Sequence, residues 1–125
     1  GFKKSFQNGI RDPHDKSGAH WISLFINLNK KFVFFFDSNG TKIPNEIQKF
    51  CDRVIEQANK LKIKLTFDQN APFVHQEGNT ECGMYSLYFI VTMIKDAHNY
   101  KFFKETKITD KAMENLRDRY FNNDI

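Results

Sequence analysis

Little in this 125-residue chain points to a metal, a membrane or an exported scaffold. It has only two cysteines, Cys51 and Cys82, and no CxxC pair, so a structural zinc site has nothing to build from. Two cysteines are also too few to frame a secreted mini-protein, and they read as reduced intracellular thiols. There is no apolar run long enough to cross a bilayer, no signal-peptide pattern and no internal repeat. Arginine forms no stripe and like charges form no run. The net charge of +4 therefore suits an acidic protein partner and allows only weak nucleic-acid contact. The expectation is no cofactor, no metal and no membrane. The chain also lacks an initial methionine, opening at Gly1, which suggests that its natural beginning is missing.

What is present is a globular composition, 40% hydrophobic with 14 phenylalanines, of a length that makes one domain over residues 1–125. Residues 1–19 are polar, rich in turn formers, and read as loop. HWISLFINLN alternates and predicts a strand from about Trp21 to Leu28; KFVFFF, continuously apolar, predicts a central strand buried on both faces. After the turn-rich DSNGTK, Pro44 suits a first helical position. Ile47, Phe50, Cys51, Val54, Ile55, Ala58 and Leu61 then recur at helical spacing. KIKLTF puts Ile63, Leu65 and Phe67 on one face of a third strand. The segment from Glu81 to about Lys95 is apolar nearly all round and predicts a central buried helix. Thr109 is the expected N-cap of a last helix, with Ala112, Met113, Leu116 and Tyr120 inward. The fold class is α+β: a small central sheet, a buried helix and flanking helices.

The chemistry concentrates where the polar loop FVHQEGNT meets ECGMYSLYFI. With Asn79 or Thr80 as cap, Cys82 falls in the first turn of the buried helix. Unpaired N–H groups and the helix dipole there favour thiolate over thiol. Gly83 removes a side chain beside the sulfur. Position alone is weak, because a cysteine in an apolar helix is usually a small core residue. A thiolate nucleophile also needs a base, and the base an orienter. His20 and Asp37 offer both. If the hairpin turns between Leu28 and Asn29, paired residues sum to 57 and His20 faces Asp37. If it turns at Asn29–Lys30 the sum is 59 and His20 faces Asn39, on the same face. Either residue would accept the Nδ1–H of His20 and leave Nε2 for the thiol. Asp37 is favoured because it ends the strand and its carboxylate stabilises an imidazolium. Gln76, six residues before Cys82, can donate a side-chain N–H to the oxyanion of acyl transfer, beside the Cys82 backbone N–H. His14, His75 and His98 read as surface or loop residues; His75, next to Gln76, is the one placed to touch a substrate. Asp12 and His14 lie close before His20, at the rim of the same site. Cys51 reads as a core residue of the first helix.

HW at 20–21, FDS at 36–38, Gln76 and ECGMYS at 81–86 stand in an order and spacing that resemble the ubiquitin-like-protein-specific cysteine proteases. That family includes the SUMO proteases and the adenovirus endopeptidase. The stretches GAHWISLFINL, NTECGMYSLYFI and KITDKAMENLR resemble its branch in large DNA viruses of the African swine fever virus type. The resemblance implies a papain-like catalytic core, with Cys82 the nucleophile, His20 the general base, Asp37 the orienter and Gln76 the oxyanion donor. It implies that Trp21 lines a narrow slot admitting only glycines, hence protein substrates with Gly-Gly-X sites. It further implies processing of viral polyproteins inside the cell, in host cytoplasm and virion, and a missing upstream segment or domain. Two rivals stand beside this reading. One is an isopeptidase acting on SUMO, ubiquitin or another ubiquitin-like modifier; the other is a protease-like module that only binds its partner.

Overall fold

The structure, a computed structural model, describes residues 20–122. Asp12 and His14 lie outside them. The elements are β1 (Ser23–Asn27), β2 (Phe32–Phe36), α1 (Asn45–Lys60), β3 (Thr66–Gln69), α2 (Cys82–Lys95), α3 (Phe102–Glu105) and α4 (Asp110–Arg117). A π-helical turn, Asp118–Asn122, follows α4. The strands form one mixed sheet in the order β1-β2-β3. β1 and β2 are an antiparallel hairpin; β2 and β3 run parallel, and α1 is the crossover that a parallel pair requires. This is the α+β architecture read from the sequence, with β2 in the centre.

The hairpin takes the longer of the two turns allowed for it. Ser23 pairs with Phe36 and Leu24 with Phe35, a constant sum of 59. The reason lies at Asn27. Its side-chain oxygen accepts the Lys30 N–H at 2.9 Å and its carbonyl the Lys31 N–H at 2.8 Å, which closes a turn over residues 28–31. β3 begins later than expected. The N–H groups of Leu61, Lys62 and Ile63 are all spent on carbonyls of Ala58 and Asn59, so the chain is still closing α1 until Ile63. Its expected face survives, because Ile63, Leu65 and Phe67 all pack into one cluster.

The period-two alternation of β2 splits the core in two. Phe32, Phe34 and Phe36 meet Met84, Tyr85, Phe89 and Met93 of α2, together with Phe103, Met113 and Leu116. Val33 and Phe35 meet Ile47, Cys51 and Ala58 of α1, with Ile22, Ile43 and Leu65. All five β2 residues are buried, as a central strand demands. Four expectations fail at helix surfaces. Phe50 and Leu61 of the first helical pattern are exposed, Leu61 at 74%. Ala112 is exposed and Tyr120 lies 43% open, because the wider π turn after Arg117 rotates it off the inner stripe. Phe103, between the two last helices expected from the sequence, is fully buried on the short α3.

Candidate active site

The mouth of α2 meets the entry to β1. The helix is capped at Glu81 rather than Asn79 or Thr80, and no side chain bonds its first N–H groups. Glu81 is itself buried, and its carboxylate pairs with Arg117 of α4 at 2.7 Å instead. Cys82 is the first helical residue and 9% exposed. Its Sγ accepts the Trp21 backbone N–H at 3.4 Å. Ser23 Oγ donates to the Ser86 carbonyl at 3.2 Å, so β1 is tied to α2 at a second point. The Trp21 ring is 38% exposed and flanks Gly83, where an added Cβ would sit 3.6 Å from its Cδ1. That is ordinary van der Waals contact, so glycine is not forced at position 83 by crowding.

His20 and Asp37 meet through His20 Nε2 and Asp37 Oδ1 at 2.9 Å. The nitrogen is the opposite one from that expected. The paired register ends at Ser23 and Phe36, and the chain turns over residues 37–40, the Gly40 N–H donating to the Asp37 carbonyl at 2.8 Å, so Asp37 meets His20 from beyond the ladder rather than as a direct cross-strand partner. Nδ1 is then the nitrogen left for the thiol, with which His20 also hydrogen-bonds. Asn39 contributes through its main chain: its N–H donates to the same Asp37 Oδ1 at 2.8 Å, while its side chain stays exposed. Asp37 is 4% exposed and held further by Asn70. The Asp37 N–H donates to Asn70 Oδ1 at 2.9 Å, and Asn70 Nδ2 donates back to the Asp37 carbonyl at 2.7 Å.

Gln76 is buried beside the end of β2. Its N–H donates to the Ser38 carbonyl at 2.9 Å, and Ser38 Oγ donates to Gln76 Oε1 at 2.6 Å. The following residues are pinned from α4. The Asp110 carboxylate accepts the Gly78 N–H at 2.8 Å, the Glu77 N–H at 3.3 Å and the Tyr85 hydroxyl at 2.7 Å. His75 is not at the rim. It is fully buried, Nε2–H donating to the Phe103 carbonyl at 2.7 Å and Nδ1 accepting the Ile108 N–H at 3.1 Å. With both nitrogens spent it has nothing to offer a substrate. Burial holds it below its ordinary pKa, in the neutral form its bonds require. His98 is exposed, as read, and stacks on Phe102.

Electrostatics separate the two thiols. Burial works against the Cys82 thiolate, but hydrogen bonds from His20 and the Trp21 N–H, with the imidazolium charge, outweigh it and pull the thiol below its ordinary value. Burial likewise works against charged His20, yet its bonds to Asp37 and Cys82 raise it to about 10. The two shifts describe one thiolate–imidazolium pair. Cys51, fully buried in the α1 cluster, is pushed up to about 11 by burial and the Asp52 charge. A cleft of about 910 Å³ opens beside Cys82, lined among others by Trp21, Gly83, Leu87, Ile90 and Phe121. Among the described residues no cluster of His, Cys, Asp or Glu could hold a metal ion, and no helix is long and apolar enough to cross a membrane.

Sequence reading missed Ser38, Asn70 and Asp110, which hold the candidate residues without joining them. Ser38 left a trace as the last letter of the FDS segment beside Asp37, and Asp110 as the fourth letter of KITDKAMENLR; Asn70 left none.

Comparison with known proteins gives consistent matches. The profile of the Ulp1 protease family, C-terminal catalytic domain, matches residues 13–125. The SUMO-1 cysteine protease of African swine fever virus is 30% identical over 107 residues, 84% of this chain and 39% of that protein. A crystal structure of the African swine fever virus protease superposes with a TM-score of 0.75 at 29% identity, over 83% of this chain and 39% of that one. The Chlamydia trachomatis effector protein Cdu1, solved bound to ubiquitin, gives a TM-score of 0.59 at 17% identity, over 85% of this chain and 47% of that one; this is a likeness of fold alone. The chain spans about two-fifths of the length of the curated relatives it matches.

Proposed function

The chain belongs to the Ulp1 protease family, and on that premise we propose that it is the catalytic core of a cysteine endopeptidase cutting after Gly-Gly in viral structural polyproteins. The carrying observation is the relay from Cys82 through His20 to Asp37, with the thiol lowered and the imidazole raised. Cys82 Sγ attacks the scissile carbonyl carbon. The carbonyl oxygen becomes an oxyanion, held by the Cys82 N–H and the Gln76 side-chain NH2. His20 gives its Nδ1 proton to the leaving amine as the C–N bond breaks, which leaves a thioester on Cys82. Water then attacks the thioester, His20 takes its proton, and the acid leaves with the thiolate restored. Asp37 keeps the ring oriented and stabilises its charged form.

Support for Gly-Gly comes from Trp21, whose half-exposed ring stands beside Gly83 next to the sulfur, where the narrow slot implied by the family resemblance would lie. The reading places the activity in host cytoplasm and virion. A second reading, removal of SUMO or another ubiquitin-like modifier, uses the same steps and the same Gly-Gly end. It is favoured by the relative named a SUMO-1 cysteine protease. Cleavage of a Gly-Gly-X peptide library, set against folded SUMO and ubiquitin conjugates, decides between them. Cys82→Ser and His20→Ala should abolish cleavage of whichever class is cut; full cleavage by either variant would refute the mechanism.

A further inference from the structure

Gln76 is an effective oxyanion donor only if the correct end of its amide faces the reacting carbonyl. The two ends are nearly the same size, and an amide reversed by half a turn would aim its oxygen at the developing negative charge. Something must choose, and the candidate stands one residue after Asp37. Ser38 is fully buried, and its hydroxyl donates to Gln76 Oε1 at 2.6 Å. Among the described residues this is the only hydrogen bond of that hydroxyl, and no acceptor takes the Gln76 NH2 group. The NH2 is not sealed from solvent either. Were the amide reversed, its NH2 would donate to Ser38 Oγ and the hydroxyl proton would be stranded without an acceptor in the interior, a costly state. The main chain adds a second hold: the Ser38 carbonyl accepts the N–H groups of both His75 and Gln76 at 2.9 Å.

We propose that Ser38 is a positioning residue that orients the Gln76 amide, so that its NH2 end and not its oxygen is presented to the oxyanion. The inference rests on Gln76 being the oxyanion donor. Consecutive residues at the end of β2 thus serve opposite sides of one reaction, Asp37 acting through the base and Ser38 through the oxyanion donor.

The test compares two reactions of the same sulfur. Peptide hydrolysis builds an oxyanion. Alkylation by iodoacetamide displaces iodide from a saturated carbon and builds none. Ser38→Ala should lower kcat for a Gly-Gly-X peptide about tenfold or more with KM unchanged, short of the ~10²–10³-fold fall expected for Gln76→Ala. The rate of Cys82 alkylation and its pH profile should stay as in the parent protein. The double variant should be no slower than Gln76→Ala alone. Ser38→Cys, which keeps the volume and only a weak donor, should fall several-fold in kcat and serves if the alanine variant does not fold. A parent-like kcat in either Ser38 variant, alongside a slow Gln76→Ala, would overturn the inference. So would alkylation slowed in step with hydrolysis, since that marks a general disturbance. A parent-like kcat for Gln76→Ala would instead remove the oxyanion reading beneath it.

Discussion

The two faces of the sheet each carry a buried cysteine, and the two have opposite chemistry. Cys51 lies mid-helix on α1, against the aliphatic side chains beneath Val33 and Phe35. Nothing there compensates a negative charge, and the thiol is raised to about 11. Cys82 lies where α2 begins, and its sulfur accepts the Trp21 backbone N–H. Their burial is similar; their hydrogen-bond partners are not. Burial alone makes a cysteine inert. A histidine, a backbone N–H and an uncapped helix start turn the same burial into activation, because the low dielectric strengthens each of those interactions.

The largest expected contrast follows from removing each sulfur. Cys82→Ala should lower kcat for Gly-Gly-X cleavage on the order of 10⁴-fold or more. Cys51→Ala should leave kcat within about twofold and shift only the denaturant midpoint, by about 1 kcal/mol of stability. Progress curves and urea titrations of both variants check this pair.

Breaking the relay further from the sulfur should cost less. Asp37→Asn keeps the shape but cannot stabilise the imidazolium, and kcat should fall by roughly 10²–10⁴. Asn70→Ala, which only loosens Asp37, should fall less than Asp37→Asn and should narrow the pH range of activity. Steady-state kinetics across pH separate the two.

The pH profile itself sharpens the comparison. Activity needs thiolate and imidazolium together. Its acid limb should therefore lie below the ordinary thiol value of about 8.5, and its alkaline limb near 10, where His20 loses its proton. An alkaline limb near the ordinary histidine value of about 6.5 would mean that Asp37 and Cys82 do not hold the charge.

The smallest effect concerns His75, the histidine kept neutral beneath the site. The folded protein binds its proton less readily than the unfolded chain does. Its contribution to stability is therefore intact above the unfolded value of about 6.5 and declines as pH falls below it, by at most about 1.4 kcal/mol per pH unit. Urea midpoints at pH 7.5 and 5.5 should show this loss, and it should be smaller in a folded His75→Gln variant.

The same comparison explains what could be read from residues alone. Helical periodicity exposed α1, which buries one face, and unbroken apolar runs exposed β2 and α2, which are buried nearly all round. They also placed Cys51 and Cys82 in their different settings, one inside a pattern and one at its edge. The hairpin brought His20 and Asp37 to the same open end of the sheet, although only Asn27's turn decided the register. What could not be read were bonds that tie loops to distant parts of the chain. Ser38 to Gln76, Asn70 to Asp37 and Asp110 to Gly78 each span about thirty residues or more and leave no period in the sequence. His75 shows the cost of that blindness. In HQEGNT it looks like one more polar loop residue, and only the carbonyl of Phe103, on an unforeseen short helix, draws it into the core.

The most direct measurement of the central claim is alkylation of the native chain by iodoacetamide from pH 5 to 10, with both cysteines followed separately by mass spectrometry. Cys82 should react rapidly, with its rate rising at a pH well below the free-thiol value, while Cys51 stays unmodified until the protein unfolds. Slow labelling of both sulfurs, with the same dependence on pH, would contradict the account.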